Sequence, residues 1–138
     1  VKDIDIARKH LDEKGVRIAV VKEGKLIYKS DERGIKPMYT LAMKLKDGLS
    51  NASVADRVIG KGAAILCKHM GVREVHGRLM SDNAIELLRG SNIQFTYEEK
   101  CAYIENEDRT GLCPIEKLSI DIEDGDVLLR RIGEFIKG

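Results

Sequence analysis

The feature that most constrains the fold is an alternation between two hydrophobic periods. Val16-Arg17-Ile18-Ala19-Val20-Val21 is a short β-branched run, Glu23-Gly24 reads as a hairpin turn, and Lys25-Leu26-Ile27-Tyr28-Lys29 alternates, so an antiparallel strand pair is expected. Ahead of it Ile4, Ala7, His10 and Leu11 recur at helical spacing, predicting a helix over 3–14 with Asp3 or Asp5 at its cap. Gly34 and Pro37 break the chain, and Met38, Leu41, Ala42, Leu45 and Leu49 then mark a second helix. Strand, glycine corner and helix follow in turn: Ala52 to Asp56, Gly60-Lys61-Gly62, and Ala63 to Met70 closed by Gly71. A strand over 72–79, a helix capped by Ser81 or Asp82 and ended by Gly90, a strand at 93–97 with more at 101–104, a helix opened by Pro114 and a last helix carrying Val127, Leu128, Ile132, Phe135 and Ile136 complete the chain. Strands alternating with helices of this length predict an α/β sandwich, and the antiparallel hairpin makes its sheet mixed. With no linker, repeat or low-complexity tract, residues 1–138 are expected to form a single domain.

Composition narrows the functions. Twenty-four Lys and Arg against twenty-three Asp and Glu leave a formal charge of +1, and Trp is absent. Nucleic acid is therefore a poor partner, since neither an overall basic field nor a stacking platform is present. No apolar run has the length of a bilayer span, so no membrane association is expected. Three cysteines, Cys67, Cys101 and Cys113, are an odd number at unrelated spacings, which fits reduced thiols in the cytoplasm better than a disulfide framework.

In open α/β sheets ligands bind beyond the carboxyl ends of strands, beside helix N-termini that favour anions. Two segments have that placement. In the first, Asp56, Arg57 and Lys61 surround Gly60 and Gly62, which reads either as an anion site or as a tight turn with a solvated lysine. In the second, a polar loop from Asn106 through Arg109 delivers Cys113 to a helix start, where the thiol is either a nucleophile or an inert structural cysteine. Cys67 and Cys101 stand in apolar-periodic surroundings and are expected in the core. Cys67 and His69 point about 200° apart on a helix, and no CxxC or HxxxH pair exists, so no metal site and no cofactor are expected. The acidic residues Glu105, Glu107, Asp108, Asp121, Glu123, Asp124 and Asp126 read as solvated turns.

Asp56-Arg57-Val58-Ile59-Gly60-Lys61-Gly62-Ala63-Ala64, followed by Met70-Gly71-Val72-Arg73-Glu74-Val75, resembles the D-K-V-x-G-K-A-A-A and M-G-V-K-E-V stretches of the family called domain of unknown function 1893. Arg109-Thr110-Gly111-Leu112-Cys113-Pro114-Ile115-Glu116 is similar to that family's N-R-x-G-x-G-x-C-P-M-E segment, with Glu107-Asp108 inserted after Asn106 and one Gly ahead of the Cys. The resemblance implies a cytidine-deaminase-like fold, a three-layer α/β/α sandwich with a mixed five-stranded sheet. Zinc deaminases carry H-x-E and P-C-x-x-C at the helix starts of that fold. Here Gly60-Lys61-Gly62 stands near the first and Cys113-Pro114-Ile115-Glu116 near the second, so the His, the catalytic Glu and the second Cys are missing, and zinc-dependent deamination is not expected.

The resulting expectation is a deaminase-like-fold protein that binds a small anionic metabolite, such as a nucleotide, between two helix N-termini. Lys61, with Arg57 or Arg109, neutralises the anion, and the amides of Gly60 and Gly62 cradle it. Cys113 is the candidate nucleophile, Asp56 a general base or orienter, and Ser81, Asn106 and Glu116 further ligand contacts. A non-catalytic sensing or scaffold domain is the alternative, and homo-oligomerisation is left open.

Overall fold

The computed structural model describes residues 2–45, 48–106 and 108–137. Glu107, one of the acidic residues read as solvated, lies outside them. The hairpin joins β1 (Ile18–Lys22) to β2 (Lys25–Ser30), and β3 (Ser53–Ile59), β4 (Glu74–Ser81) and β5 (Gln94–Cys101) extend the sheet in the order β2-β1-β3-β4-β5. β1 runs antiparallel to both its neighbours, with Ile18 opposite Ser30 on one side and Asp56 on the other, while β3, β4 and β5 are parallel. The sheet is therefore mixed, as the sequence pattern implies.

Side-chain alternation divides the two faces. Ala19, Val21 and Ala55 pack with Ala7 and Leu11 of α1 (Asp3–Leu11), whereas Ile18, Val20 and Val54 point into the larger core. That core is closed by α2 (Lys36–Lys44), α3 (Lys61–His69), α4 (Asp82–Arg89) and α6 (Gly125–Lys137), with α5 (Pro114–Ser119) at its margin. The three layers follow: one helix, the sheet, then the remaining helices. Fully buried strand residues such as Val20 and Ala19 need cover on both faces, which explains why β1 is apolar from Ile18 to Val21 instead of alternating.

Several local features depart from the sequence expectation. α1 ends at Leu11, and the Asp3 carboxylate accepts from the amides of Glu23 and Gly24 at 3.0 and 2.9 Å, so it braces the hairpin turn and not its own helix. Both turn residues lie in the left-handed region, φ 51° and 77°. Pro37 falls in the first turn of α2, where its missing N–H costs nothing, and the helix ends at Lys44, leaving the buried Leu49 in the following turn. β5 is one strand, Gln94–Cys101, in place of two short pieces.

Candidate functional site

A cavity of about 620 Å³ opens where β3 ends and β1 begins. Three helix starts face it, not two: Gly34 to Met38 at α2, Gly60, Gly62 and Ala63 at α3, and Cys113 to Glu116 at α5. The α2 helix is the second helix expected after Gly34 and Pro37, but its start is not among the segments that the sequence places at the site. Placement at strand ends beside helix N-termini is where open α/β sheets put ligands.

The Gly60-Lys61-Gly62 corner has a packing cause. A Cβ on Gly60 would stand 2.6 Å from Glu116 Oε1, and one on Gly62 2.7 Å from Ile115 Cγ2, so glycine is required at both positions for α5 to approach α3 this closely. Glu116 is only 2% exposed. Its Oε1 accepts from the Lys61 amide at 2.8 Å and its Oε2 from the Ile104 amide at 3.4 Å. A carboxylate is well placed at this helix start, where amides and dipole favour negative charge. Between the two glycines whose amides were the expected cradle, the Lys61 amide is therefore taken by a side chain of the protein itself.

Asp56 lies on the cavity wall in the middle of β3. Withdrawal from solvent pushes its carboxyl from 3.8 up to about 7, against the amides of Val58 and Arg57 and the charges of Arg17 and Arg57. Its Oδ1 accepts from the Val58 amide at 3.2 Å. Cys113 lines the same cavity, and its amide donates to Ile104 O at 2.9 Å. Asn106 also reaches the wall; its Oδ1 accepts from the Thr110 amide at 2.9 Å and so shapes the loop that leads to Cys113.

Four expected site residues lie elsewhere. Arg57 follows Asp56 on the strand and so faces the other side of the sheet, where Nε and Nη2 donate to Val16 O and Leu11 O at 2.6 and 2.7 Å. The Lys61 ammonium donates to Ile120 O at 2.9 Å, at the C-terminal end of α5, and does not line the cavity. Ser81 is fully buried; its hydroxyl caps α4 by accepting from the Ala84 amide and donates to Asn83 Oδ1. Arg109 sits in the left-handed region of the loop, φ 58°, its amide donating to Asn106 O, and it is absent from the cavity wall. The cations that do line the cavity are Arg17, Arg33 and Lys36, with Arg33 and Lys36 exposed at its rim and Lys36 3.8 Å from the Glu32 carboxylate on the same wall. They were legible only as isolated charges, since what collects them is the pairing of β1 with β2 and β3.

The cysteines separate as well. Cys67 is fully buried against Met38, and burial pushes its thiol far up, with Asp56 adding to the effect. Cys101 is half-buried at the end of β5, not in the core, and its thiol is also raised, chiefly by burial and then by Glu116, Asp82 and Glu105. Cys113 is the cysteine on the cavity wall.

A deaminating zinc requires three protein ligands and an open water position. Among the described residues no three His, Cys, Asp or Glu side chains converge to hold a metal ion. The space beside Gly60 and Gly62, where ligands from α3 would project, is filled by Glu116 and Ile115. The donor set does not fit this metal.

Strand order, layers and cleft together define a protein of cytidine-deaminase-like fold. A diaminohydroxyphosphoribosylaminopyrimidine deaminase/5-amino-6-(5-phosphoribosylamino)uracil reductase from Thermotoga maritima is similar with a TM-score of 0.51 and 17% identity, over 70% of this chain and 35% of that one. The dCMP deaminase of cyanophage S-TIM5 aligns over 72% of this chain and 94% of its own, with 14% identity and a TM-score of 0.47. Within that class the chain belongs to the family described as domain of unknown function DUF1893, whose model matches residues 6–136. A DUF1893 family protein (TM1506) from Thermotoga maritima superposes with a TM-score of 0.87 at 26% identity, covering 97% of this chain and 91% of that one. No curated protein matches the sequence.

Proposed function

We propose that the cavity binds a small anionic metabolite of about nucleotide size, with Cys113 as the nucleophile and Asp56 as the group that takes and returns its proton. The observation that carries this reading is Asp56: a carboxyl with a pKa of about 7, on the wall of a cavity that also exposes a cysteine. A base poised near neutrality is suited to proton transfer at physiological pH, and shifted groups of this kind concentrate at functional sites. The volume falls within the roughly 300–1,000 Å³ typical of ligand pockets, and the walls are largely apolar, from Ile18, Met38, Val58 and Ile115. Arg17, Arg33 and Lys36 take over the anion-neutralising role first assigned to Lys61, Arg57 and Arg109.

In the covalent step, the thiol proton passes to the Asp56 carboxylate and the sulfur lone pair forms a bond to an electrophilic carbon of the ligand. The π pair of that carbon moves to its attached oxygen or nitrogen. No metal is needed for this step. A panel of mononucleotides and other small phosphates and carboxylates, scored by thermal shift on wild type and on Cys113→Ser, tests the reading. A member that stabilises both proteins, and adds mass only to wild type, supports it; a panel without any stabilising member contradicts it.

One observation favours a second reading, a sensing or scaffold domain without chemistry: Glu116 and Ile115 fill the space in which the deaminase fold would carry its metal ligands. Stabilisation by a metabolite with a Cys113 no more reactive than a model thiol would select that reading.

A further inference from the structure

Glu116 joins three parts of the cleft. One oxygen holds the Lys61 amide at the start of α3, the other holds the Ile104 amide beyond β5, and its own helix opens with Cys113, whose amide bonds Ile104 O. The two glycines opposite it leave room for Glu116 and Ile115 and for no side chain of their own. The carboxylate is buried and already accepts from the Lys61 amide, the first of the helix-start amides that would receive an external anion.

We infer that Glu116 is the built-in occupant of the anion position at the α3 N-terminus: it closes that position to external anions and confines the anionic group of a ligand to Arg17, Arg33 and Lys36. A second anion at the α3 start would meet a carboxylate at contact distance, where like charges repel. Glu116 acts as a positioning and specificity-determining residue, because it fixes the helix that carries Cys113 and sets which end of the cavity takes charge. The assignment of the rim rests on the cavity being the ligand site; the assignment of Glu116 to the helix start does not.

The test is a set of ¹H–¹⁵N spectra of wild type, Glu116→Gln and Glu116→Ala, each titrated with inorganic phosphate and with acetate. In wild type the Lys61 and Gly62 amides stay in place while phosphate moves the Arg33 and Lys36 signals. In Glu116→Ala the Lys61 amide shifts upfield, and acetate returns it saturably and raises the Tm, an effect that acetate lacks on wild type. Glu116→Gln, which keeps the side-chain volume if the alanine variant fails to fold, moves the Lys61 amide upfield by a smaller amount. Saturable movement of Lys61 and Gly62 by phosphate in wild type would overturn the inference, as would a Lys61 amide indifferent to both substitutions. A failed metabolite panel with the Lys61 signature intact would sink the proposed function alone.

Discussion

Asp56 carries a testable pH dependence. Its proton leaves near 3.8 in the unfolded chain and near 7 in the folded one, so between those values the native state holds a proton that the unfolded state has lost. Stability therefore falls as pH rises through that window and levels off above it. Asp56→Asn removes the effect: its stability gain over wild type should grow across the window and stay flat above about 7, measured by urea denaturation. A difference that is constant with pH would refute the burial of this carboxyl. Among the thiols, Cys113 should alkylate with iodoacetamide before Cys101 and well before Cys67, whose burial holds its proton. Peptide mapping after limited alkylation reads the order, and early labelling of Cys67 would contradict it. Gly60→Ala forces its new methyl against Glu116 and should destabilise by about 1–3 kcal/mol in the same denaturation assay.

At the scale of elements, Arg57 shows what the sequence carries and what it does not. The run Val54-Ala55-Asp56-Arg57-Val58 has a strand period of two, so Asp56 shares a face with Val54 and Val58 while Arg57 belongs with Ala55 on the α1 side. Adjacent charges at a glycine corner suggest one site; the period separates them. Arg57 ties the end of α1 to the start of β1 through two carbonyls, and Arg57→Ala should cost about 1–3 kcal/mol of stability while leaving metabolite binding unchanged. Weakened binding at unchanged stability would place Arg57 in the site instead. The hairpin, the α3 corner and Cys113 at a helix start were legible because each depends on neighbours within a few residues. The Glu116 contact with Lys61 spans 55 positions, and nothing local marks a glutamate as the cap of a distant helix. The same holds for Arg17, Arg33 and Lys36, which reach one cavity only after β1 pairs with both β2 and β3.

For the whole molecule, the two sheet faces differ in what they hold. On the α1 side, the buried His76 bonds Thr96 and Glu98, and Arg78 pairs with Asp12, a polar network where α1 gives less cover. The other side builds the cleft from three helix starts. Its shape is that of the deaminase fold, and where that fold would carry metal ligands its wall presents the Asp56 carboxyl, Cys113 and the Glu116 clamp. The central claim, that this cleft takes an anionic metabolite on its rim cations and not on Lys61, is tested most directly by binding affinities. Calorimetry with the best mononucleotide or phosphate of the panel should show Arg33→Ala and Lys36→Ala each weakening binding about tenfold, in keeping with the loss of one charge-assisted hydrogen bond, while Lys61→Ala matches wild type. Full affinity in both rim variants, with a loss confined to Lys61→Ala, would contradict the account.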